Sequence, residues 1–305
     1  MAAHEASPGV VASLCRKLKE PTTSLQQKYR VLFSLRNIKG DASHAAMLQG
    51  LEDESALFRH EVAFCLGQRQ DPAAIQTLES ILRDTAEHPM VRHEAGEALG
   101  AIGSPACIPP LRDHAADGCL EVAQTCQLAL QRIEFLEGHE PCDPGAPQRY
   151  LSVDPTPPAP AATPTPALAA TLLDDGARIF DRYRALFALR DRGGEEALEA
   201  LAGAFASSSA LLKHEVAYVL GQMQDARAVA CLKRVLGDAG EAAMVRHEAA
   251  EALGAIADRA CLALLQQYTE DAEPIVADSC IVALDMLEFE QSGGFQYADD
   301  GAVAT

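Results

Sequence analysis

Apolar residues recur along this chain at the spacing of amphipathic helices. Around position 62 the apolar side chains include Val62, Cys65 and Leu66, which lie one to four residues apart. This spacing places them on one face of an α-helix. The block is followed by a turn signal, Asp71-Pro72, and then by a second helical stretch at 73–83. The pattern therefore predicts paired helices, or helical hairpins.

These helical blocks repeat with two periods. Segment 90–102, MVRHEAGEALGAI, returns as 244–256, MVRHEAAEALGAI, with 12 of 13 positions identical and a shift of 154 residues. Within each half, similar blocks recur every 31–33 residues. A two-helix unit of that length buries its apolar faces only by stacking on its neighbours. The sequence therefore predicts an all-α protein, an α-solenoid of eight HEAT-like helical hairpins in two pseudo-symmetric halves.

The composition changes between the two halves. Residues 138–172 are rich in proline and alanine and show no helical period. We therefore predict a first half of four repeats at 1–137, an extended linker at 138–172, and a second half of four repeats with a short tail at 173–305. A linker of this length allows the halves to face each other.

Charge and composition narrow the class of protein. The net charge is −19, from 25 basic and 44 acidic residues, and the sequence shows no basic stripe of the kind that nucleic acid binding requires. The nine cysteines form no C-x-x-C motif, which favours reduced thiols. No secretory signal and no long apolar run are evident. We therefore expect a cytoplasmic protein that binds neither nucleic acid nor a membrane.

Four His-Glu pairs share one register within the repeats. They are His60-Glu61, His93-Glu94, His214-Glu215 and His247-Glu248. Each lies close to a predicted helix start, so imidazoles from neighbouring hairpins can meet on one ion. Two histidines and one carboxylate suit non-haem Fe(II). We therefore predict one metal site from His60, His93 and Glu94 and an equivalent one from His214, His247 and Glu248. Glu61 and Glu215 remain as bridging carboxylates or as anchors for a cationic substrate.

The outer hairpins of each half lack the pair and are expected to be structural caps. Their equivalent positions hold Tyr29-Arg30, Gln124-Thr125, Tyr183-Arg184 and Asp278-Ser279. Two further pairs, His4-Glu5 and His139-Glu140, lie out of register and are expected to be ordinary polar residues. Glu97 and Glu251, one turn after a paired glutamate, are either partners of the histidines or solvated acids.

The segments LxxHEVAxxLGQxQD, MVRHEAxEALGAI and YLSVDPTPP resemble the deoxyhypusine hydroxylase family, over residues 24 to 297 approximately. The resemblance implies a non-haem di-iron monooxygenase that uses dioxygen to convert the deoxyhypusine side chain of translation factor 5A to hypusine. It implies two Fe(II) ions per chain, held by the two His-His-Glu sets. Glu61 and Glu215 match family positions tied to the metal site or to the substrate amine.

Two other functions fit the residues themselves. A metal-free HEAT-type scaffold could bind a basic protein partner, but it leaves the common register of the His-Glu pairs unexplained. A dinuclear Zn or Mn hydrolase could use a metal-bound water, but the sequence offers no basic cluster for a phosphate group.

Overall fold

The computed structural model describes residues 6–138 and 149–292, which contain sixteen α-helices and no β-strand. The hairpins of the first half are α1 (Pro8–Lys19) with α2 (Leu25–Arg36), α3 (Asp41–Leu48) with α4 (Ala56–Arg69), α5 (Ile75–Arg83) with α6 (Pro89–Ile102), and α7 (Ile108–Asp113) with α8 (Leu120–Gly138). Those of the second half are α9 (Thr165–Leu173) with α10 (Ile179–Arg192), α11 (Glu195–Gly203) with α12 (Ala210–Met223), α13 (Val229–Gly237) with α14 (Ala243–Ile256), and α15 (Leu262–Tyr268) with α16 (Pro274–Ser292). The predicted all-α solenoid of eight hairpins is confirmed.

The even-numbered helices form an inner layer and the odd-numbered helices an outer one. Successive inner helices, such as α4, α6 and α8, pack side by side, and each also packs on an outer helix. The repeat pattern pairs an inner helix with the helix that follows it, whereas the structure pairs it with the helix before it. Helix α1 precedes α2 and is its outer partner, so the hairpins begin one helix earlier than the repeat pattern suggests. Helix α16 is the last helix of the described residues and packs on α15 before it.

Inner helices approach closely because glycine on one meets alanine on the next. A Cβ atom added to Gly100 of α6 would lie 2.6 Å from the Cβ of Ala129 on α8. One added to Gly67 of α4 would lie 2.7 Å from the Cα of Ala98 on α6. Equivalent contacts occur in the second half, at Gly221 and Gly254. In all four helices this glycine follows the histidine of the His-Glu pair by seven residues, so close helix packing occurs beside each pair.

The two halves face each other and meet at both ends. Arg30 of α2 pairs with Asp285 of α16, which joins the first hairpin to the last. At the other junction, Phe135 of α8 packs against Phe180 of α10 with 5.7 Å between ring centroids. The inner helices of both halves therefore surround a common interior.

The range predicted as a linker, 138–172, contains all but the last residue of helix α9. Residues 149–164 hold no α-helix, but Thr165–Leu173 form the outer helix of the fifth hairpin. Pro166 lies in its first turn, where proline is tolerated, and Leu168 and Leu172 are buried against the core. A nine-residue helix shows too few turns for its period to stand out from the surrounding proline and alanine.

Two further observations concern the cysteines and the possibility of a membrane-spanning helix. The eight cysteines within the described residues are all free thiols. In the same residues, no helix combines the length and the apolar character needed to cross a bilayer.

Candidate metal centre

The four His-Glu pairs lie at equivalent points of α4, α6, α12 and α14. Each histidine is about one turn into its helix. Helix α4 starts at the cap Ser55, whose Oγ accepts a hydrogen bond from the amide of Phe58 at 3.2 Å. Helix α6 starts with Pro89 after the cap His88. All eight side chains of the pairs lie in buried residues, with at most 8% exposure.

The first predicted ligand set comes together in the structure. Nε2 of His60 lies 3.2 Å from Oε2 of Glu94, and Nε2 of His93 lies 3.7 Å from the same oxygen. The ligand atoms of the three residues all lie within 4.8 Å of one another. This spacing allows His60, His93 and Glu94 to share one ion.

The second set is arranged differently from the expectation. Nε2 of His214 lies 3.5 Å from Oε2 of Glu248, and the rings of His214 and His247 are 5.3 Å apart. However, the second group whose ligand atoms lie within 4.8 Å of one another combines His214 and His247 with His60 of the first half, not with Glu248. The halves face each other so closely that His60 contacts both groups, with its ring 5.6 Å from that of His247.

The imidazole nitrogens support metal binding. Among the described residues, the Nε2 atoms of all four histidines are buried and none makes a hydrogen bond of good geometry, although those of His60, His93 and His214 lie 3.2–3.7 Å from glutamate oxygens. Buried polar atoms normally have a partner, because leaving one unsatisfied costs free energy. Imidazole nitrogens and carboxylate oxygens are also the donor set of non-haem iron. The residues present therefore fit metal ions at this place.

Burial controls the protonation of these groups in the metal-free protein. It lowers the pKa of His60 to about 4 and raises the pKa of Glu94 to about 8. The pKa of Glu61 is likewise raised to about 8, first by burial and then by the charge of Glu251. The imidazoles are therefore neutral ligands at pH 7, and the carboxyls favour the protonated form until a cation binds.

Two outer hairpins contribute hydroxyl groups that the sequence pattern did not reveal. Oγ1 of Thr125 lies 3.0 Å from Nδ1 of His93, and Oγ of Ser279 lies 3.3 Å from Nδ1 of His247. When Nδ1 donates its proton to the hydroxyl oxygen, Nε2 carries the lone pair that a metal needs. These hairpins are therefore more than structural caps. The available signal was that Thr125 and Ser279 both occupy the glutamate position of the repeat.

A cavity of 980 Å³ adjoins the histidine cluster between the halves. Six glutamates line it, namely Glu61, Glu94, Glu97, Glu215, Glu248 and Glu251. Neither Glu61 nor Glu215 belongs to the two ligand groups, and both face the cavity. Glu251 accepts a hydrogen bond from Ser279 at 3.1 Å, so it is a partner of the histidine shell, not a freely solvated acid. The out-of-register pairs His4-Glu5 and His139-Glu140 lie outside the described residues.

Comparison with known proteins agrees with this architecture. A family model of HEAT repeats matches residues 44–131, and a model of the PBS lyase HEAT-like repeat matches residues 245–271. Deoxyhypusine hydroxylase of Gallus gallus is 50% identical over 289 residues, covering 95% of this chain and 96% of that protein. The enzyme of Arabidopsis thaliana is 50% identical over 284 residues, covering 92% and 90%.

A solved structure shows the same fold. Human deoxyhypusine hydroxylase in complex with glycerol is 51% identical, with a TM-score of 0.87, and the match covers 91% of this chain and 96% of that chain. Identity at this level over nearly the full length of several relatives shows the family. The chain belongs to the deoxyhypusine hydroxylase family of enzymes.

Proposed function

We propose that this enzyme hydroxylates the deoxyhypusine side chain of translation factor 5A to hypusine, using two Fe(II) ions and dioxygen. The observation that carries the proposal is the buried cluster of four imidazoles and two carboxylates beside an acidic cavity. The proposed metal ligands are His60, His93 and Glu94 from the first half and His214, His247 and Glu248 from the second. Bound irons would supply dioxygen activation, which side chains of this type do not perform unaided.

The cavity suits the proposed substrate. The deoxyhypusine side chain is a polyamine arm that carries ammonium groups, and the glutamates along the cavity wall complement that charge. Phe64 and Tyr218 pack edge to face across the two halves at 6.2 Å between ring centroids, and both line the cavity. Such aromatic walls pack against the methylene groups of the arm and exclude water from the place of reaction.

The proposal also gives a role to the duplication of the four-hairpin half. We propose that the halves predicted at 1–137 and 173–305 act as two units, with α9 added to the second, and that each brings ligands to one ion. His60 belongs to both groups of candidate ligands, so it lies between the ligands of the two halves. We further propose that the reaction takes place in the cytoplasm, where thiols stay reduced.

The proposal is tested by metal analysis combined with an activity assay. Purified protein is expected to contain about two irons per chain and to hydroxylate deoxyhypusine-bearing translation factor 5A only when dioxygen is present. His93→Ala should lower the iron content and abolish the activity. The control is His114→Ala, because His114 lies outside the cluster and bonds the carbonyl of Pro110.

The alternatives give different results in the same experiment. A metal-free scaffold would keep its function after complete chelation of iron, and His93→Ala would have no effect. A dinuclear hydrolase would contain zinc or manganese and would not consume dioxygen. Either result would contradict the proposal.

A further inference from the structure

The two halves support His93 and His247 by different hydrogen bonds. Thr125 and Ser279 occupy equivalent places, 154 residues apart, and each hydroxyl lies beside Nδ1 of a histidine of its own half. The distances are 3.0 Å from Thr125 to His93 and 3.3 Å from Ser279 to His247. The further partners of the two hydroxyl groups are not the same.

In the second half a carboxylate continues the chain of hydrogen bonds. Oγ of Ser279 donates to Oε1 of Glu251 at 3.1 Å, and the same oxygen of Glu251 lies 3.7 Å from Nδ1 of His247. Ser279 is fully buried, and the side chain of Glu251 is 18% exposed. Glu251, Ser279 and His247 therefore form a relay, in which a carboxylate orients an imidazole through a hydroxyl group.

The first half has residues of the same chemistry at these positions but lacks the relay. Glu97 is the equivalent of Glu251, and within the described residues it makes no hydrogen bond. In the part of the chain that the structure describes, the only hydrogen-bond partner of Oγ1 of Thr125 is Nδ1 of His93. A glutamate is thus present in both halves, but only the one in the second half is connected to an imidazole through the hydroxyl group.

The position of one methyl group accompanies this difference. The two repeated 13-residue segments differ only where Gly96 of the first corresponds to Ala250 of the second. A Cβ added to Gly96 would lie 3.4 Å from Cγ2 of Thr125, so the threonine methyl group lies against the glycine. In the second half the methyl group belongs to Ala250, and Ser279 has none. Threonine is restricted at χ1 by its branched Cβ, whereas serine is free to take the rotamer that reaches an imidazole and a carboxylate together.

The relay fixes the position of the proton on His247. A hydroxyl group has one proton, and Ser279 donates it to Glu251, so Nδ1 of His247 must be the donor and Nε2 carries the lone pair. Hydrogen bonds in such a chain polarise one another, which makes Nε2 a stronger ligand. Thr125 has no second acceptor among the described residues, so its hydroxyl either donates to Nδ1 of His93 or accepts from it. When it donates, Nε2 of His93 carries the proton and does not bind a metal.

We infer that the relay of Glu251, Ser279 and His247 makes the two proposed metal positions unequal, so that the ion held by His247 binds more tightly and binds first. Ser279 is then a positioning residue that acts through His247. The ion held by His93 binds more weakly, because its binding must also select the tautomer of that histidine. The inference rests on the proposed function for the identity of the metal.

Anaerobic titration of the metal-free protein with Fe(II), in competition with a chelator, measures the two binding constants. Ser279→Ala should lower the first constant roughly 10-fold, because the tighter position loses its relay. Thr125→Val should leave the first constant nearly unchanged and lower the second roughly 10- to 100-fold. If the halves were equivalent, both variants would lower mainly the second constant, since the first ion would bind to the intact half. That result would overturn the inference.

The two equivalent glutamates provide a matched comparison. Glu251→Gln keeps an acceptor for the hydroxyl of Ser279 but removes the charge, so it should lower the first constant by less than Ser279→Ala does. Glu97→Gln should change the first constant less than Glu251→Gln does, because Glu97 is not connected to an imidazole. Equal losses in the two glutamine variants would show that the overall charge of the cavity holds the metal, and would reject the relay. This comparison still decides the inference if Ser279→Ala fails to fold.

The Tm of the metal-free protein separates positioning from stability. A Ser279→Ala protein with a lowered Tm and an unchanged first constant would show a purely structural role and reject the inference. A protein that binds two irons in the expected order but does not hydroxylate deoxyhypusine-bearing translation factor 5A would support the inference and reject the proposed reaction. An active enzyme in which both variants lower only the second constant would reject the inference alone.

Discussion

Arg30 and Asp285 lie 255 positions apart and form a two-bond ion pair between the first and last hairpins. Nη2 of Arg30 lies 2.6 Å from Oδ1 of Asp285, and Nε lies 3.2 Å from Oδ2. The position equivalent to Arg30 is Arg184, whose guanidinium donates instead to the carbonyls of Pro157 and Pro158 in the linker region. The equivalent arginines therefore act differently at the two junctions: Arg30 pairs with a carboxylate of the other half, whereas Arg184 binds the connecting chain beside the Phe135–Phe180 contact.

The ion pair should stabilise the closed arrangement only modestly. The side chains of Arg30 and Asp285 are 37% and 27% exposed, so solvent screens the pair. We expect Arg30→Ala and Asp285→Ala to show a coupling free energy of about 0.5 kcal/mol in a double-mutant cycle. Urea unfolding of the two single variants and the double variant measures this quantity. Strictly additive effects would show that the pair does not hold the junction.

Loss of the Thr125 hydroxyl should weaken metal binding. Thr125→Val removes the partner of Nδ1 of His93 while nearly keeping the volume of the side chain. We expect the metal affinity to fall roughly 10- to 100-fold, as for other groups that orient a ligand. Competition with a chelator measures the affinity. Thr125→Ser is the control, because it keeps the hydroxyl and should retain most of the affinity.

The stability of the metal-free protein should fall as the pH rises from 6.5 to 8. Burial raises the pKa of Glu61 and Glu94 to about 8, so between pH 4.5 and 8 the folded state binds more protons than the unfolded state. Their stabilising effect is present below pH 4.5 and is lost as the pH passes through 8. The pKa of His60 is lowered to about 4, so its effect is complete above pH 6.5 and is lost in acid.

Thermal unfolding of chelated protein across this pH range measures the effect. Glu94→Gln should flatten the decline between pH 6.5 and 8, because glutamine does not titrate. Iron-loaded protein should show a weaker decline, since bound cations keep the carboxyls ionised. A Tm of chelated protein that rises with pH over this interval would contradict the prediction.

An added methyl group at Gly100 should separate two inner helices. Its Cβ would lie 2.6 Å from the Cβ of Ala129, a distance that forces α6 and α8 apart. We expect Gly100→Ala to lower the free energy of unfolding by about 1–3 kcal/mol and to weaken metal binding through a shift of His93. Chemical denaturation and chelator competition measure the two effects. Gly118→Ala is the matched control, because no atom of the described residues lies within 4 Å of a Cβ there and the site is exposed.

The sequence by itself determined the all-α class, the eight hairpins and the register of the His-Glu pairs. Helical periodicity is a local property, since residues three and four apart share a face whatever the chain does elsewhere. Duplication then copied each residue to an equivalent place, so the His-Glu pairs marked the same point of four inner helices. The sequence did not predict helix α9, because nine residues among prolines show little periodicity.

Only the tertiary structure decided which groups meet. The proximity of His60 to His214 and His247 and the bonding of Thr125 to His93 depend on the packing of separate helices. The contrast between Tyr29, which lines the cavity, and Tyr183, whose hydroxyl donates to the carbonyl of Leu211, also depends on that packing. The repeat pattern does not reveal such differences, because it treats residues at equivalent positions as if they had the same surroundings. Residues 149–152 line the cavity but lie outside the repeats, so the repeat pattern does not place them.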